Sequence, residues 1–269
     1  MKHRIDPKID CVFKALLGSE QNRNLLVHFL NAVLNTELLE PITSVEILNP
    51  YNDKEFLNDK LSIVDVKARD NQDRVYQIEI QLLCYDNLPS RIIYGWSDIY
   101  SQQLKDGKNY LQLKPTFSIW LLGKNLIKTD DNYLHTYKLR DEGGKVLVEH
   151  GAILLLEIEK FHASHIETER ERWLQFFKEG ESLDDDSQLP DWMITEDMRQ
   201  AMNTLRQFSE KERDYHAYQA RQNFIREQST IQEELQIERI EKQQIASERD
   251  AAKAEIEKLK ALLLVAQQS

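Results

Sequence analysis

KLSIVDVKAR (Lys60 to Arg69) and RVYQIEIQLL (Arg74 to Leu83) read as two β-strands joined by the polar link Asp70-Asn71-Gln72-Asp73, whose composition suits a hairpin turn. Strand side chains alternate with a period of two. In the first strand Leu61, Ile63, Asp65 and Lys67 therefore share one face, and Ser62, Val64, Val66 and Ala68 the other. In the second, Val75, Gln77, Glu79 and Gln81 share a face, while Tyr76, Ile78, Ile80 and Leu82 point the opposite way. Antiparallel pairing of the two brings Asp65, Glu79 and Gln81 together.

Two carboxylates facing each other repel and carry a desolvation cost, so a hard, oxygen-preferring divalent cation accounts for the constellation. The same pattern also describes a solvated sheet face on which Asp65 and Glu79 pair with Lys67 or Arg74. Spacing alone does not decide between the two.

The wider chain adds to this. Asp65, thirteen intervening residues and then Glu79-Ile80-Gln81 resemble the active-site signature of the PD-(D/E)XK nuclease superfamily. DPKIDCVFKALLGSE (Asp6 to Glu20), LLVHFLNAVLN (Leu25 to Asn35), VEILNP (Val45 to Pro50) and RIIYGWSDIYSQQLKDGKNYLQLKPTFSIWLL (Arg91 to Leu122) resemble, in order, the Rpn family of recombination-promoting nucleases and transposases. The resemblance implies an α/β fold: a restriction-endonuclease-like mixed sheet flanked by helices, with an αβββαβ core.

It also implies roles. Asp65, Glu79 and the backbone carbonyl of Ile80 fall on the metal-ligand positions, and Mg2+ or Mn2+ is the implied ion. The position of the superfamily's water-holding Lys is occupied by Gln81. A neutral amide orients water or ligates metal through its oxygen, but it supplies no positive charge to a developing phosphorane. Lys67, on the strand face of Asp65, is one candidate for that charge, and equally a plain ion-pair partner of Glu79 or Asp65. Asp10, on a helix that the resemblance places beside the hairpin, is a further candidate ligand, or simply a favourable helix-N-terminal charge. Arg91 is a candidate phosphate contact, although an exposed helical Arg is commonly just solvated.

Other chemistries lack their motifs. No GxxxxGK[ST] or GxGxxG loop, serine-hydrolase elbow or HExxH pair is present. Cys11 and Cys84 do not compose a zinc site, and His162 and His165 lie three apart in a charged, helix-like stretch without other ligands.

Around the hairpin, helical periodicity runs from Ile9 to Leu17, Asn22 to Leu34 and Ser90 to Leu104. Strands are expected at Val45 to Leu48, Thr116 to Leu122 and Ala152 to Leu156, with an outlying one within Tyr133 to Arg140. The reading divides the chain into a nuclease-like domain (1–180), a helical region (181–225, with a helix from Thr195 to about Phe224) and a long helix or partial coiled coil (226–269). In the last part Ile245, Ala252, Ile256, Leu259 and Leu263 hold heptad a and d positions, while Glu238, Lys242 and Arg249 fill that register upstream. A homodimer or homo-oligomer through this helix is the expected assembly.

The net charge of −11 is unevenly spread: residues 1–125 carry 15 Lys and Arg against 16 Asp and Glu, and the rest 20 against 30. The acidic excess thus lies mostly outside the expected catalytic core, which removes much of the conflict with a DNA partner. No stretch of eighteen apolar residues suggests a membrane span, and the N-terminus lacks a signal-peptide core, so a cytoplasmic location is expected. Two function classes stay open. One is an Mg2+-dependent DNA endonuclease, with links to recombination or transposition; the other is an inactive nucleic-acid-binding or assembly protein on a nuclease scaffold.

Overall fold

β3 (Val75–Gln81) and β4 (Thr116–Leu122) decide the architecture, because both are buried almost throughout on both faces. A strand such as TFSIWLL, apolar at nearly every position, is stable only between two covering layers. The computed structural model describes residues 2–50, 64–104, 109–183 and 189–266, and side chains as far as residue 260. It supplies both layers around a six-stranded sheet of order β1 (Val45–Leu48), β2 (Val66–Asp70), β3, β4, β6 (Gly151–Glu157) and β5 (Leu134–Tyr137).

β1, β2 and β3 form an antiparallel meander. β3, β4 and β6 run parallel, and β5 closes the far edge antiparallel to β6. Parallel neighbours need a crossover, and α3 (Leu88–Ser101) provides the one between β3 and β4. On its face of the sheet, Leu88 and Ile92 pack with Trp120, Leu122 and Leu155.

The opposite layer holds α1 (Asp10–Leu17), α2 (Arg23–Leu34), α4 (Glu169–Glu179) and α5 (Glu196–Glu210). Gly18, at the end of α1, lies against Val66 of β2. The helices lock together through Phe13, Phe29, Trp173 and Phe177; Phe29 and Trp173 meet edge to face at 5.5 Å, the arrangement their quadrupoles favour. α5 packs on α1 and α2 with Met198, Ala201, Met202 and Leu205 buried.

The strand order and the helices on both faces bear out the restriction-endonuclease-like mixed sheet with its αβββαβ core, and a long C-terminal helix, α6 (Glu212–Ala266), follows. The elements differ from the sequence reading in several details. Asp65 precedes β2 by one residue, and positions 60–63 of the expected strand lie outside the described residues. α3 ends at Ser101 rather than Leu104. The helix expected from Thr195 to Phe224 is two helices, because Lys211 takes an extended conformation (φ −81°, ψ 111°) between α5 and α6. His162 and His165 sit in non-helical chain: Thr168 and Glu171 form a capping box that starts α4 only after them.

The chain forms two compact units, residues 1–221 and 222–269. In the first, Tyr218 of α6 is buried and its hydroxyl accepts the Asp6 N–H at 3.0 Å. In the second, Ile231, Leu235, Ile240, Ile245, Ile256 and Leu259 are all about half exposed. No helix among the described residues is long and apolar enough to cross a membrane.

Candidate active site

The β2–β3 turn fixes the register that builds the site. Asp73 adopts φ +61°, and the Asp70 carboxylate accepts the N–H groups of Gln72 and Arg74, the Arg74 Nε at 2.5 Å and the Tyr76 hydroxyl at 2.7 Å. Arg74 is thereby the partner of Asp70 and not of Glu79 or Asp65, which corrects one reading of the sequence. The ladder pairs Val66 with Ile78 and Lys67 with Gln77. One step beyond Val66, Asp65 arrives beside Glu79.

Each carboxylate is held differently. Asp65 lies 3.1 Å (Oδ1) from the Lys14 ammonium of α1 and accepts the Ile80 N–H through Oδ2 at 3.0 Å. A strand residue directs its N–H and C=O to the same neighbour, so the Ile80 carbonyl faces the Asp65 side of β3. Glu79 is only 4% exposed. Its Oε1 accepts the Gln77 amide at 3.0 Å, and its Oε2 lies 3.9 Å from the Arg91 guanidinium of α3. Burial, and then the negative charge of Asp65, push the Glu79 carboxyl up to about 8, against the opposing pull of Gln77, Arg91 and Lys14. Burial thus outweighs the cations that face Glu79.

Gln81 is held at both ends of its amide: Oε1 accepts from Arg91 at 3.0 Å and Nε2 donates to the Leu83 carbonyl at 2.7 Å. Arg91 also lies over the Trp120 ring, 5.5 Å from its centroid. Beneath them runs a buried chain of hydrogen bonds, from Trp120 Nε1–H to Ser118 Oγ (2.8 Å), from that hydroxyl to Gln77 Oε1 (3.1 Å), and from the Gln77 amide to Glu79. Gly95 of α3 covers Gln77 so closely that a Cβ there would stand 3.2 Å from its Nε2.

Of the residues singled out from sequence, the fold brings together Asp65, Glu79, Gln81 and the Ile80 backbone. Lys67 stands two residues along β2, opposite Gln77. Asp10 is placed elsewhere: its carboxylate takes the Arg221 guanidinium at 2.9 Å and the Cys11 N–H. Sequence reasoning passed over Lys14, Gln77 and Ser118. Lys14 does follow Asp10 by one helical turn, and Gln77 shares the Glu79 face, but only the packing of two helix layers shows what each touches.

The oxygen donors present, two carboxylates, a peptide carbonyl and an amide, fit Mg2+ or Mn2+, which is commonly held by one or two carboxylates with water completing the shell. The raised carboxyl of Glu79 supports the same fit, since a cation between the two acids relieves the repulsion. Among the described residues no group of three or more His, Cys, Asp or Glu side chains gathers as a metal site.

The chain has no match among curated proteins and none among solved structures. A family model described as PD-(D/E)XK nuclease family transposase matches residues 7–234, which takes in every strand of the sheet and the start of α6. The match spans well over half of the chain and the fold is a mixed sheet between helix layers, so the chain belongs to the PD-(D/E)XK nuclease family transposases.

Proposed function

We propose that this chain is a metal-dependent DNA endonuclease that hydrolyses phosphodiester bonds. The observation that carries the proposal is the pairing of two carboxylates at the end of the β2–β3 ladder, Glu79 buried and Asp65 half-buried beside it. Asp65, Glu79 and the Ile80 carbonyl would hold Mg2+ or Mn2+. Such an ion, when bound, supplies Lewis acidity to a phosphoryl oxygen and lowers the pKa of a water.

The chain's own residues prepare that chemistry. Ile80 N–H and Lys14 fix the two oxygens of Asp65, and the Gln77 amide fixes Oε1 of Glu79, leaving Oε2 directed at the site. Gln81 is a positioning residue: it cannot ionise, and its amide ties β3 to Arg91. Trp120 and the first turn of α3 wall the site from the sheet interior.

DNA is the proposed substrate, approached by the near-neutral first 125 residues, which carry Asp65, Glu79 and Gln81. The half-exposed apolar residues of residues 222–260 support a homodimer through α6, which would pair two sites for double-strand breaks. Action in the cytoplasm agrees with Cys11 and Cys84, which are free thiols. Links to recombination or transposition follow from the family.

Cleavage of supercoiled plasmid in Mg2+, Mn2+, Ca2+ or EDTA, beside a folded Asp65→Ala protein, tests the proposal. Metal-dependent nicking or linearisation that Asp65→Ala lacks is the expected result. Equal cutting by both proteins, or none by the native chain on duplex, single-stranded and RNA substrates, would overturn it in favour of a binding or assembly protein.

A further inference from the structure

We propose that Arg91 is a catalytic residue, supplying to the scissile phosphate the positive charge that Gln81 cannot. This rests on the hydrolytic reading above. Three contacts hold the guanidinium at the mouth of the site: the Gln81 Oε1 at 3.0 Å, the Glu79 Oε2 at 3.9 Å and the face of Trp120 at 5.5 Å. A surface Arg that merely dissolves in water has no reason to be triangulated in this way.

The contacts also leave the group available. Arginine carries five N–H donors, and the hydrogen bond to Gln81 uses one of them. The approach to Glu79 is beyond hydrogen-bonding distance, so it orients the guanidinium without consuming its donors. The side chain is 53% exposed, open to an incoming backbone phosphate. Lys14, by contrast, lies 3.1 Å from Asp65, and its charge is directed there. Gln81 thus exchanges an ammonium for an amide that aims a guanidinium, whose planar fork matches two phosphate oxygens.

In the step itself the oxygen of water bonds to phosphorus and the bond from phosphorus to the leaving sugar oxygen breaks. The proton lost by the water passes to solvent, and the leaving oxygen takes one up. Arg91 keeps all its protons throughout; it donates hydrogen bonds to the non-bridging oxygens as their charge grows.

The test compares the full-length native chain with Arg91→Met, Arg91→Lys, Gln81→Lys and the double variant Arg91→Met/Gln81→Lys. Three readouts are taken: single-turnover cleavage in Mg2+, duplex affinity in Ca2+ and terbium affinity by sensitised luminescence. Arg91→Met is expected to slow cleavage by about 10²- to 10³-fold, the usual loss for one transition-state donor, with Arg91→Lys between it and the native chain. Terbium affinity should stay within about 2-fold and duplex affinity within about 5-fold, as for the loss of one phosphate contact. Gln81→Lys in the Arg91→Met background should restore at least about 10-fold of the rate, because it returns a cation to the site.

Unchanged cleavage by Arg91→Met, or a terbium affinity that falls in step with the rate, would overturn the assignment; the second result would make Arg91 a structural support of the ligands. Absence of rescue by Gln81→Lys, with that chain folded and binding terbium, would overturn it as well. Failure of the hydrolytic reading looks different: the native chain and Asp65→Ala then behave alike before Arg91 is altered.

Discussion

Glu79 and Glu157 are both buried glutamates, on one sheet face and on the two strands, β3 and β6, that flank β4, and they are treated in opposite ways. Glu157, 0% exposed, is neutralised within the fold: Oε2 is ion-paired with Lys160 Nζ at 2.6 Å and lies 3.3 Å from His135 Nε2, and Oε1 accepts the Ile127 N–H at 2.9 Å and the Leu126 N–H. It pins the chain after β4 to the end of β6. Glu79 has one amide, a guanidinium at 3.9 Å and a second carboxylate for a neighbour. A buried charge that serves only the fold is neutralised within the fold, as at Asp70 too; a buried charge left short of partners is held ready for something that arrives.

The sharpest way to break this contrast is to neutralise both members of the open pair in turn. Glu79→Gln and Asp65→Asn should each lower plasmid cleavage by about 10³-fold or more, some 4 kcal/mol of transition-state stabilisation. In EDTA Glu79→Gln should not lower the thermal midpoint, since it removes a desolvated carboxyl that Asp65 repels. Loss of activity accompanied by unfolding would place Glu79 in the same class as Glu157.

Glu157→Gln asks the reverse question. It strands Lys160, 7% exposed, and His135 beside an uncharged amide, and the loss of one partner from such a buried cluster costs about 3–5 kcal/mol. Urea denaturation should register that cost, while the folded fraction keeps the native response to Mg2+. If the variant were as stable as the native chain yet inactive, Glu157 would belong to the chemistry and the division would collapse.

How far the pair was legible in sequence follows from what strand geometry determines. A period of two puts Asp65 on the face of Lys67, and Glu79 between Gln77 and Gln81, whatever the rest of the chain does. β1 and β4 match their expected bounds, because a short apolar run closed by Pro or polar residues leaves little choice. What could not be read is supplied from elsewhere in the chain. Lys14 reaches Asp65 from one helix layer and Arg91 reaches Glu79 from the other, across separations that no local pattern encodes. Arg74, a fair partner for Glu79 by spacing, is captured by Asp70 in the turn. The break at Lys211 is likewise not local in origin: KERD reads as helix, yet Lys211 takes an extended conformation between α5 and α6.

The pH dependence of stability sharpens the contrast further. Burial and Asp65 raise the Glu79 carboxyl from 4.5 to about 8, so the folded state holds a proton that the unfolded chain releases at lower pH. The associated stability is fully present below about pH 4.5 and is lost as pH rises through about 8. In EDTA the native chain should therefore lose stability across this window relative to Glu79→Gln, and Mg2+ should offset part of the loss. Parallel curves for the two proteins would show that the carboxylate is already compensated, like Glu157.

The smallest effect separates holding a carboxylate from burying it. Gly95→Ala gains up to about 1 kcal/mol of helix propensity within α3. The new Cβ, however, stands 3.2 Å from the Gln77 amide nitrogen, closer than packed atoms sit without displacement. Gln77 has little room to give, because its oxygen accepts from Ser118 and its nitrogen donates to Glu79, all within the core. The gain and the strain should nearly cancel, leaving stability within about 0.5 kcal/mol of native. The displaced amide moves the Glu79 oxygen it holds, so cleavage should fall by roughly 5- to 10-fold, as ångström-scale misplacement of a ligand does. A variant that is equally stable and equally fast would mean that Glu79 is kept in place by its burial alone, and that the hydrogen-bond chain from Trp120 serves packing.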